Sequence, residues 1–156
     1  METSTNPPSA SGVYRWYVSL EGAQALGIDV SQCTRSGENY LVYVGLAKDL
    51  RQRLDWHWND KHTPSSVRSG FVSTLRQTLS ALLVGEMVTA RERVDQFMRQ
   101  CMRVEWEVCA NYQEREAQLI QEHSLPLNLR GNTHPFLATL KRKRKESRQK
   151  SLSLLS

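Results

Sequence analysis

The sequence predicts an α+β fold in which helices flank a small three-stranded, mainly antiparallel sheet. Three segments have strand patterns: residues 12–20 and 39–45 are rich in β-branched and aromatic residues, and residues 103–109 alternate between apolar and polar side chains. The segments between and after them have the spacing of amphipathic helices. The predicted order is therefore strand, strand, three helices, strand and helix.

The three strands are expected to be buried to different extents. Residues 39–45, NYLVYVG, are almost continuously apolar, which is typical of a central strand covered on both faces. Residues 12–20 pair with them most simply as an antiparallel hairpin with a long connection. In the third strand Val104, Trp106 and Val108 alternate with polar residues, which predicts a half-buried strand with an acidic outer face.

Four helices are expected to cover the sheet. The first spans about 47–59, where Leu50, Leu54 and Trp58 recur every four residues and form a core-facing stripe. The polar stretch 61–70 is predicted to be a loop. The remaining helices are expected at about 71–83, 89–101 and 113–123, with one further helical turn near 23–26.

The composition indicates a cytoplasmic protein, associated with the nucleoid if the host is bacterial. No stretch approaches the roughly 18 consecutive apolar residues of a membrane helix, so no membrane partner is expected. The polar, Ser/Pro-rich start has no basic region followed by an apolar run, unlike a secretory signal. Cys33, Cys101 and Cys109 lack metal-site spacing, which favours reduced thiols.

The positive charge is concentrated near the end of the chain. The net charge is +5, and residues 141–150 alone hold seven basic residues and one acidic residue, so the rest of the chain is close to neutral. A basic arm of this kind suits a polyanion, most commonly nucleic acid, although it is also typical of a solubilising tail.

Two helices carry polar residues at unusual places. Arg53 and His57 are four residues apart and border the apolar stripe of the first helix, which places them either at a groove or at an ordinary amphipathic edge. Glu116 lies on the apolar side of the last helix, where a bare charge is costly. The spacing is compatible with a structural ion pair, such as one with an arginine of the first helix, or with a metal ligand.

Residues 12–14 (GVY) on the first strand and 43–45 (YVG) on the second resemble the two signature tripeptides of the GIY-YIG nuclease superfamily. Downstream, Arg53 lies eight residues after the motif glycine, as the essential arginine of this family does, and His57 follows four residues later. Glu116, followed by an apolar pair, resembles the metal-binding glutamate of the family. Residues 126–128 (PLN) resemble the segment that closes its domain. The connection between the two tripeptides is longer than is usual in the family.

The resemblance implies the GIY-YIG nuclease fold, with a helical insert, and hydrolysis of a nucleic-acid phosphodiester with one divalent cation, Mg²⁺ or Mn²⁺. It implies that Glu116 binds the metal and that Arg53 binds the phosphate. Tyr14 is the expected base, with Tyr43 or His57 sharing the proton and His57 as the alternative base. Gly45 is expected to allow a tight turn into the helix, and Asn128 to fix the Glu116 helix or a tyrosine hydroxyl.

The expected substrate is DNA, bound mainly through its backbone. The residues expected to contact it are Gly45, Lys48, Arg68, Arg76, Lys141, Arg142, Lys143, Arg144 and Lys145. The predicted organisation is a disordered tail over 1–11, a nuclease domain over 12–136 with a helical insert at about 61–101, and a basic tail over 137–156.

Two other functions are compatible with the sequence. One is a nucleic-acid-binding or regulatory protein that has lost catalytic activity, since a fold does not by itself imply a function. The other is an interaction protein that uses the 71–101 helices as a docking surface. The presence of every expected catalytic residue type favours the endonuclease.

Overall fold

The computed structural model describes residues 6–156. Its strands are β1 (Gly12–Ser19), β2 (Arg35–Ser36), β3 (Asn39–Ala47) and β4 (Met102–Val108). Its helices are α1 (Leu20–Leu26), α2 (Leu50–Asn59), α3 (Pro64–Ser69), α4 (Thr74–Leu83), α5 (Arg91–Cys101), α6 (Tyr112–Glu122) and α7 (Leu137–Leu155).

The α+β class is confirmed, but within residues 6–156 the sheet has four strands where three were expected. The strand order is β2-β3-β1-β4, and all neighbours are antiparallel. The extra strand, β2, has two residues and lies in the long connection, where Gly37 at φ 60° turns the chain back into β3. Two residues are too few to show a strand pattern, so the sequence could not indicate β2.

The sheet separates two apolar cores. Tyr14, Trp16 and Val18 of β1 point into the larger core, which is built mainly with residues of α1, α2, α4 and α5. Val13 and Tyr17 point to the opposite face, where α6 closes a smaller core. The residues of β1 and β3 therefore contribute to both cores, and side chains of β1 occupy positions fixed by packing on both sides.

Two segments differ from the predicted secondary structure. Residues 64–69, expected as part of a loop, form α3, because Thr63 caps the first turn and Gly70, at φ 79°, ends the helix. The segment after residue 136, expected as a basic tail, is the 19-residue helix α7. It packs on α4 and α3, and the buried hydroxyl of Ser151 accepts a hydrogen bond of 2.8 Å from the Met87 backbone.

The segment before β1 is attached to α2 through Pro8 and Ala10. Residues 1–5 of the predicted N-terminal tail lie outside the described residues. The carbonyl of Ala10 accepts a hydrogen bond of 2.9 Å from Leu50 N, and that of Pro8 accepts one of 3.2 Å from Arg51 N. These are N–H groups of the first turn of α2, which have no partner within a helix. Within residues 6–156, no helix is long and apolar enough to span a bilayer.

Arg76 was expected to bind substrate, but it is a core residue with 0% exposure. Its guanidinium donates to Asp95 Oδ1 at 2.6 Å, to His62 Nε2 at 3.0 Å and to the carbonyls at the end of α2. A cation taken out of water is tolerated because these acceptors surround it. Arg76 therefore joins α4 to α2 and α5, and it does not reach a substrate phosphate.

We expect Arg76→Ala to lower the free energy of unfolding by about 3–5 kcal/mol, because it leaves the buried partners of Arg76 unpaired. Urea denaturation measures this directly. Arg91→Ala is the matched control: Arg91 faces the same carboxylate at 3.8 Å but is 47% exposed, so its loss should cost less than about 1 kcal/mol. Equal losses for the two variants would contradict the central role of Arg76.

Candidate active site

The two signature tripeptides lie side by side on the central strands. β1 and β3 are antiparallel, with Tyr14 opposite Gly45 and Trp16 opposite Tyr43. Beside them is an open cavity of about 300 Å³ lined by residues of β3, α6 and the loop that follows α6. Glu116 faces this cavity, together with Tyr43 and Arg130.

Tyr14 is the residue around which the site is organised. Its side chain is buried, and its hydroxyl shares a hydrogen bond of 2.8 Å with His57 Nε2. Burial raises the pKa of Tyr14 well above its usual value of 10.0, with Tyr43 adding to the rise. The charge of Arg53 and a hydrogen bond from it lower the pKa, whereas the charge of Glu116 raises it slightly. Four of the predicted site residues are thus close enough to Tyr14 to affect its proton.

His57 is a buried neutral imidazole whose two ring nitrogens are both engaged. Nε2 faces the Tyr14 hydroxyl, and Nδ1 shares a hydrogen bond of 2.6 Å with the Ser73 hydroxyl. Burial, and then the charges of Arg53 and Arg76, lower the pKa of His57 to about 3. The position at a groove edge expected for His57 is therefore wrong: the ring is 1% exposed and adjoins the site through Tyr14.

Ser73 completes a chain of three hydrogen-bonding side chains, Tyr14, His57 and Ser73, which spacing along the sequence did not indicate. Its hydroxyl caps α4 by accepting from Arg76 N at 3.3 Å, and its own N–H donates to Asp60 Oδ2 at 2.7 Å. A serine before a helical segment is a recognisable N-cap signal. Its contact with His57 spans 16 positions and could not be inferred from spacing.

Glu116 forms an ion pair from the edge of the cavity. Its Oε1 accepts a hydrogen bond of 2.6 Å from Arg130, whose side chain is 77% exposed while that of Glu116 is 10% exposed. Burial raises the pKa of the Glu116 carboxyl, whereas Arg130 lowers it. The partner is an arginine of the loop after α6 and not, as the sequence suggested, an arginine of α2. In the sequence, the turn-rich segment 127–132 (LNLRGN) indicates that the chain reverses direction, but not that Arg130 bonds to Glu116.

Asn128 acts on the backbone of β3. Its Oδ1 accepts from Val44 N and its Nδ2 donates to Val44 O, both at 3.0 Å. The amide thus pairs with the strand next to Tyr43 in the manner of a neighbouring strand residue. The expected hydrogen bonds to the Glu116 helix or to a tyrosine hydroxyl are not formed, because both polar atoms of the amide bond to Val44. Through these bonds Asn128 holds the loop that carries Arg130 against the sheet.

Gly45 was expected to make a tight turn and contact substrate, but it lies inside β3. A methyl group at this position would overlap the ring and hydroxyl of Tyr14. Tyr14 therefore needs the absence of a side chain at Gly45 to reach His57. Tyr14 and Gly45 belong to different tripeptides, so the packing of each tripeptide depends on the residue that the other one places opposite it.

The remaining predicted substrate residues differ in how far their side chains are exposed to solvent. The exposed ones are Lys48, Arg68, Lys141, Arg142 and Lys145, with Lys143 half-buried. Arg144 instead turns inward and donates to Thr78 Oγ1 at 2.7 Å and to Thr74 O at 3.2 Å. Its charge also acts on Tyr43: burial raises the pKa of Tyr43 to about 12, and the charge of Arg144 lowers it.

The profile of the GIY-YIG catalytic domain family matches residues 12–150. Because the match covers most of the chain, this protein belongs to that family. Membership supports a nuclease-type enzymatic function with a nucleic-acid substrate, and divalent metal ions are the general requirement of such nucleases. The matched range includes the 61–101 helices and most of α7. No curated protein and no solved structure matches the chain.

We expect Gly45→Ala to destabilise the fold by about 1–3 kcal/mol, because the added methyl overpacks against Tyr14. In a Tyr14→Ala background the same substitution should cost much less, since the space is then free. A double-mutant cycle by urea denaturation measures this coupling. Additive effects of the two substitutions would show that Gly45 has another role.

Proposed function

We propose that the protein is a divalent-metal-dependent endonuclease that hydrolyses DNA phosphodiester bonds in the cytoplasm. The observation that carries the proposal is the convergence at Tyr14: its hydroxyl is bonded to neutral His57, and Arg53 and Glu116 approach from α2 and α6. A phenol, a guanidinium and a carboxylate supply a proton acceptor, a phosphate ligand and a metal ligand.

Tyr14 is the residue we assign as general base. When the hydrogen of the neutral ring is on Nδ1, His57 donates a hydrogen bond to Ser73 Oγ and accepts one from the Tyr14 hydroxyl at Nε2. The lone pairs of the Tyr14 oxygen are then free to accept a hydrogen bond from water. As a water proton passes to Tyr14 Oη, the phenol proton would pass to His57 Nε2, and the negative charge of a phosphate bound at Arg53 would oppose the positive charges that help to lower the pKa of His57. His57 itself is buried and has no free nitrogen, so we assign it a positioning and relay role.

Glu116 is the residue we assign as metal ligand. It supplies one carboxylate at an open cavity, and one of its oxygens is engaged by the exposed side chain of Arg130. This fits Mg²⁺ or Mn²⁺, which are commonly held by one or two carboxylates, water and substrate phosphate. When bound, such a cation polarises a phosphate oxygen and stabilises the leaving oxygen.

Arg53 is the residue we assign to the scissile phosphate. It is exposed on α2, and it is close enough to Tyr14 for its charge to lower the pKa of the phenol. A guanidinium stays charged at all working pH values and presents a planar fork to phosphate. Placed there, it offsets the negative charge that builds up in the transition state.

DNA affinity would come from the exposed face of α7, with Lys141, Arg142 and Lys145 contacting phosphates. Because α7 packs on α4, these cations are carried by the folded unit that holds Ser73, and we assign α7 to the nuclease domain. Binding through phosphates should weaken steeply as salt rises.

The Glu116–Arg130 ion pair also supports a second candidate, a catalytically inactive nucleic-acid-binding protein. An arginine that remained on Glu116 would neutralise the carboxylate and compete with a cation. The two candidates differ in whether nucleic acid is cleaved when metal is supplied.

We expect the protein to nick supercoiled plasmid in Mg²⁺ or Mn²⁺ and to lose this activity in EDTA or as Glu116→Gln. The substitution keeps the size of the side chain but removes the charge that binds the cation. Gel electrophoresis of plasmid topoisomers measures the rate. We expect a loss of roughly hundredfold or more, in keeping with loss of a main source of charge stabilisation.

The matched control is Glu114→Gln, which removes an exposed carboxylate on the same helix and should leave the rate within about twofold. Intact plasmid with wild-type protein that still binds DNA would favour the inactive binding protein. Equal cleavage by wild type and Glu116→Gln would contradict the metal assignment.

A further inference from the structure

A row of three rings leads from the buried site to the protein surface. Trp56 stacks on His57 with ring centroids 5.9 Å apart and an interplanar angle of 23°. Phe71 lies against Trp56 with centroids 5.4 Å apart and an angle of 32°. We call Trp56 and Phe71 the aromatic platform. His57 in turn is hydrogen-bonded to Tyr14.

Phe71 is exposed to an extent that the fold does not require. Seven large apolar residues within 6–156 are exposed; Phe71 is the most exposed, at 71%, and the single aromatic among them. A ring is more costly to leave in water than a small aliphatic group. A strongly exposed aromatic next to a functional site therefore indicates a contact with another molecule.

The backbone holds Phe71 in place. Gly70 ends α3 at φ 79°, and Phe71 N donates to Ser66 O at 2.9 Å. Two residues later, Ser73 is bound to His57 and Asp60. The ring is therefore presented from a segment anchored at both ends, and this segment loses little additional conformational freedom when a ligand stacks on it.

The aromatic platform is continuous with the phosphate-binding residue. The Arg53 guanidinium lies 5.7 Å from the Trp56 ring centroid, and its charge also lowers the pKa of Tyr14. One cation thus borders both the proposed scissile phosphate and the platform. A nucleotide whose phosphate is held by Arg53 has its base within reach of these rings.

We propose that Phe71 and Trp56 stack an unpaired base next to the scissile phosphate, so that the favoured substrate has a single-stranded or unpaired nucleotide there. The proposal rests on the proposed nuclease function. An unpaired base can offer its face to an aromatic side chain, whereas in a continuous duplex both faces are covered by neighbouring bases. Stacking depends little on base identity, so the aromatic platform distinguishes unpaired from paired nucleotides and does not select a base sequence.

The test compares the affinity of wild type and Phe71→Leu for a single-stranded oligonucleotide and for the matching duplex, by fluorescence anisotropy in EDTA. Leucine keeps an apolar side chain but removes the ring. We expect single-strand affinity to fall roughly five- to hundredfold, as for loss of one stacked base, and duplex affinity to change less than about twofold. Phe71→Tyr keeps a ring and should bind like wild type.

Val84→Ala is the matched control, because Val84 is also exposed and apolar but lies at the far end of α4. It should change neither affinity. Single-strand affinity that is unchanged in Phe71→Leu would overturn the proposal, and so would an equal loss on both substrates. The affinity measurement needs no cleavage, so it tests the stacking proposal independently of the nuclease assignment. If wild type binds single strands through Phe71 but does not cleave them when metal is added, the nuclease assignment fails and the stacking proposal stands.

Discussion

The hydrogen bond between the Tyr14 hydroxyl and His57 Nε2 is the interaction on which the rest of the site depends. It forms because Gly45, opposite Tyr14 in the sheet, leaves space for the ring. Burial keeps the imidazole of this pair neutral, because it lowers the pKa of His57 to about 3. The site is therefore a polar pair built into the large apolar core, where each group must have its partner.

The helices between β3 and β4 hold the Tyr14–His57 pair in position. Ser73 at the start of α4 engages the second nitrogen of His57, and Arg76 one turn later bonds to the carbonyls at the end of α2. α7 then packs on α4 and brings Arg144 towards Tyr43. Residues 61–101 and α7, which the sequence suggested were an insert and a tail, are thus physically coupled to Tyr14, His57 and Tyr43.

Local spacing was enough to predict much of this molecule. The strand patterns and the Leu50–Leu54 stripe indicated the α+β class, and the two tripeptides indicated the family. That Tyr14, Tyr43, Arg53, His57 and Glu116 form one site was implied by the resemblance to the family and not by spacing. Periodicity gives the face of a helix but not what covers it, so Arg76 was taken for a surface cation and α7 for a tail. The roles of Ser73 and Arg130 depend on long-range contacts that only the folded chain shows.

The most direct test of this account is the cleavage rate of Tyr14→Phe under conditions where wild type nicks plasmid. The substitution removes one oxygen and keeps the ring packed against Gly45. We expect a fall in rate of roughly hundredfold to ten-thousandfold, the range for a lost general base, with DNA affinity unchanged and a folded protein by circular dichroism. A folded Tyr14→Phe variant that cleaves within a few-fold of wild type would contradict the claim that the site is built around this hydroxyl.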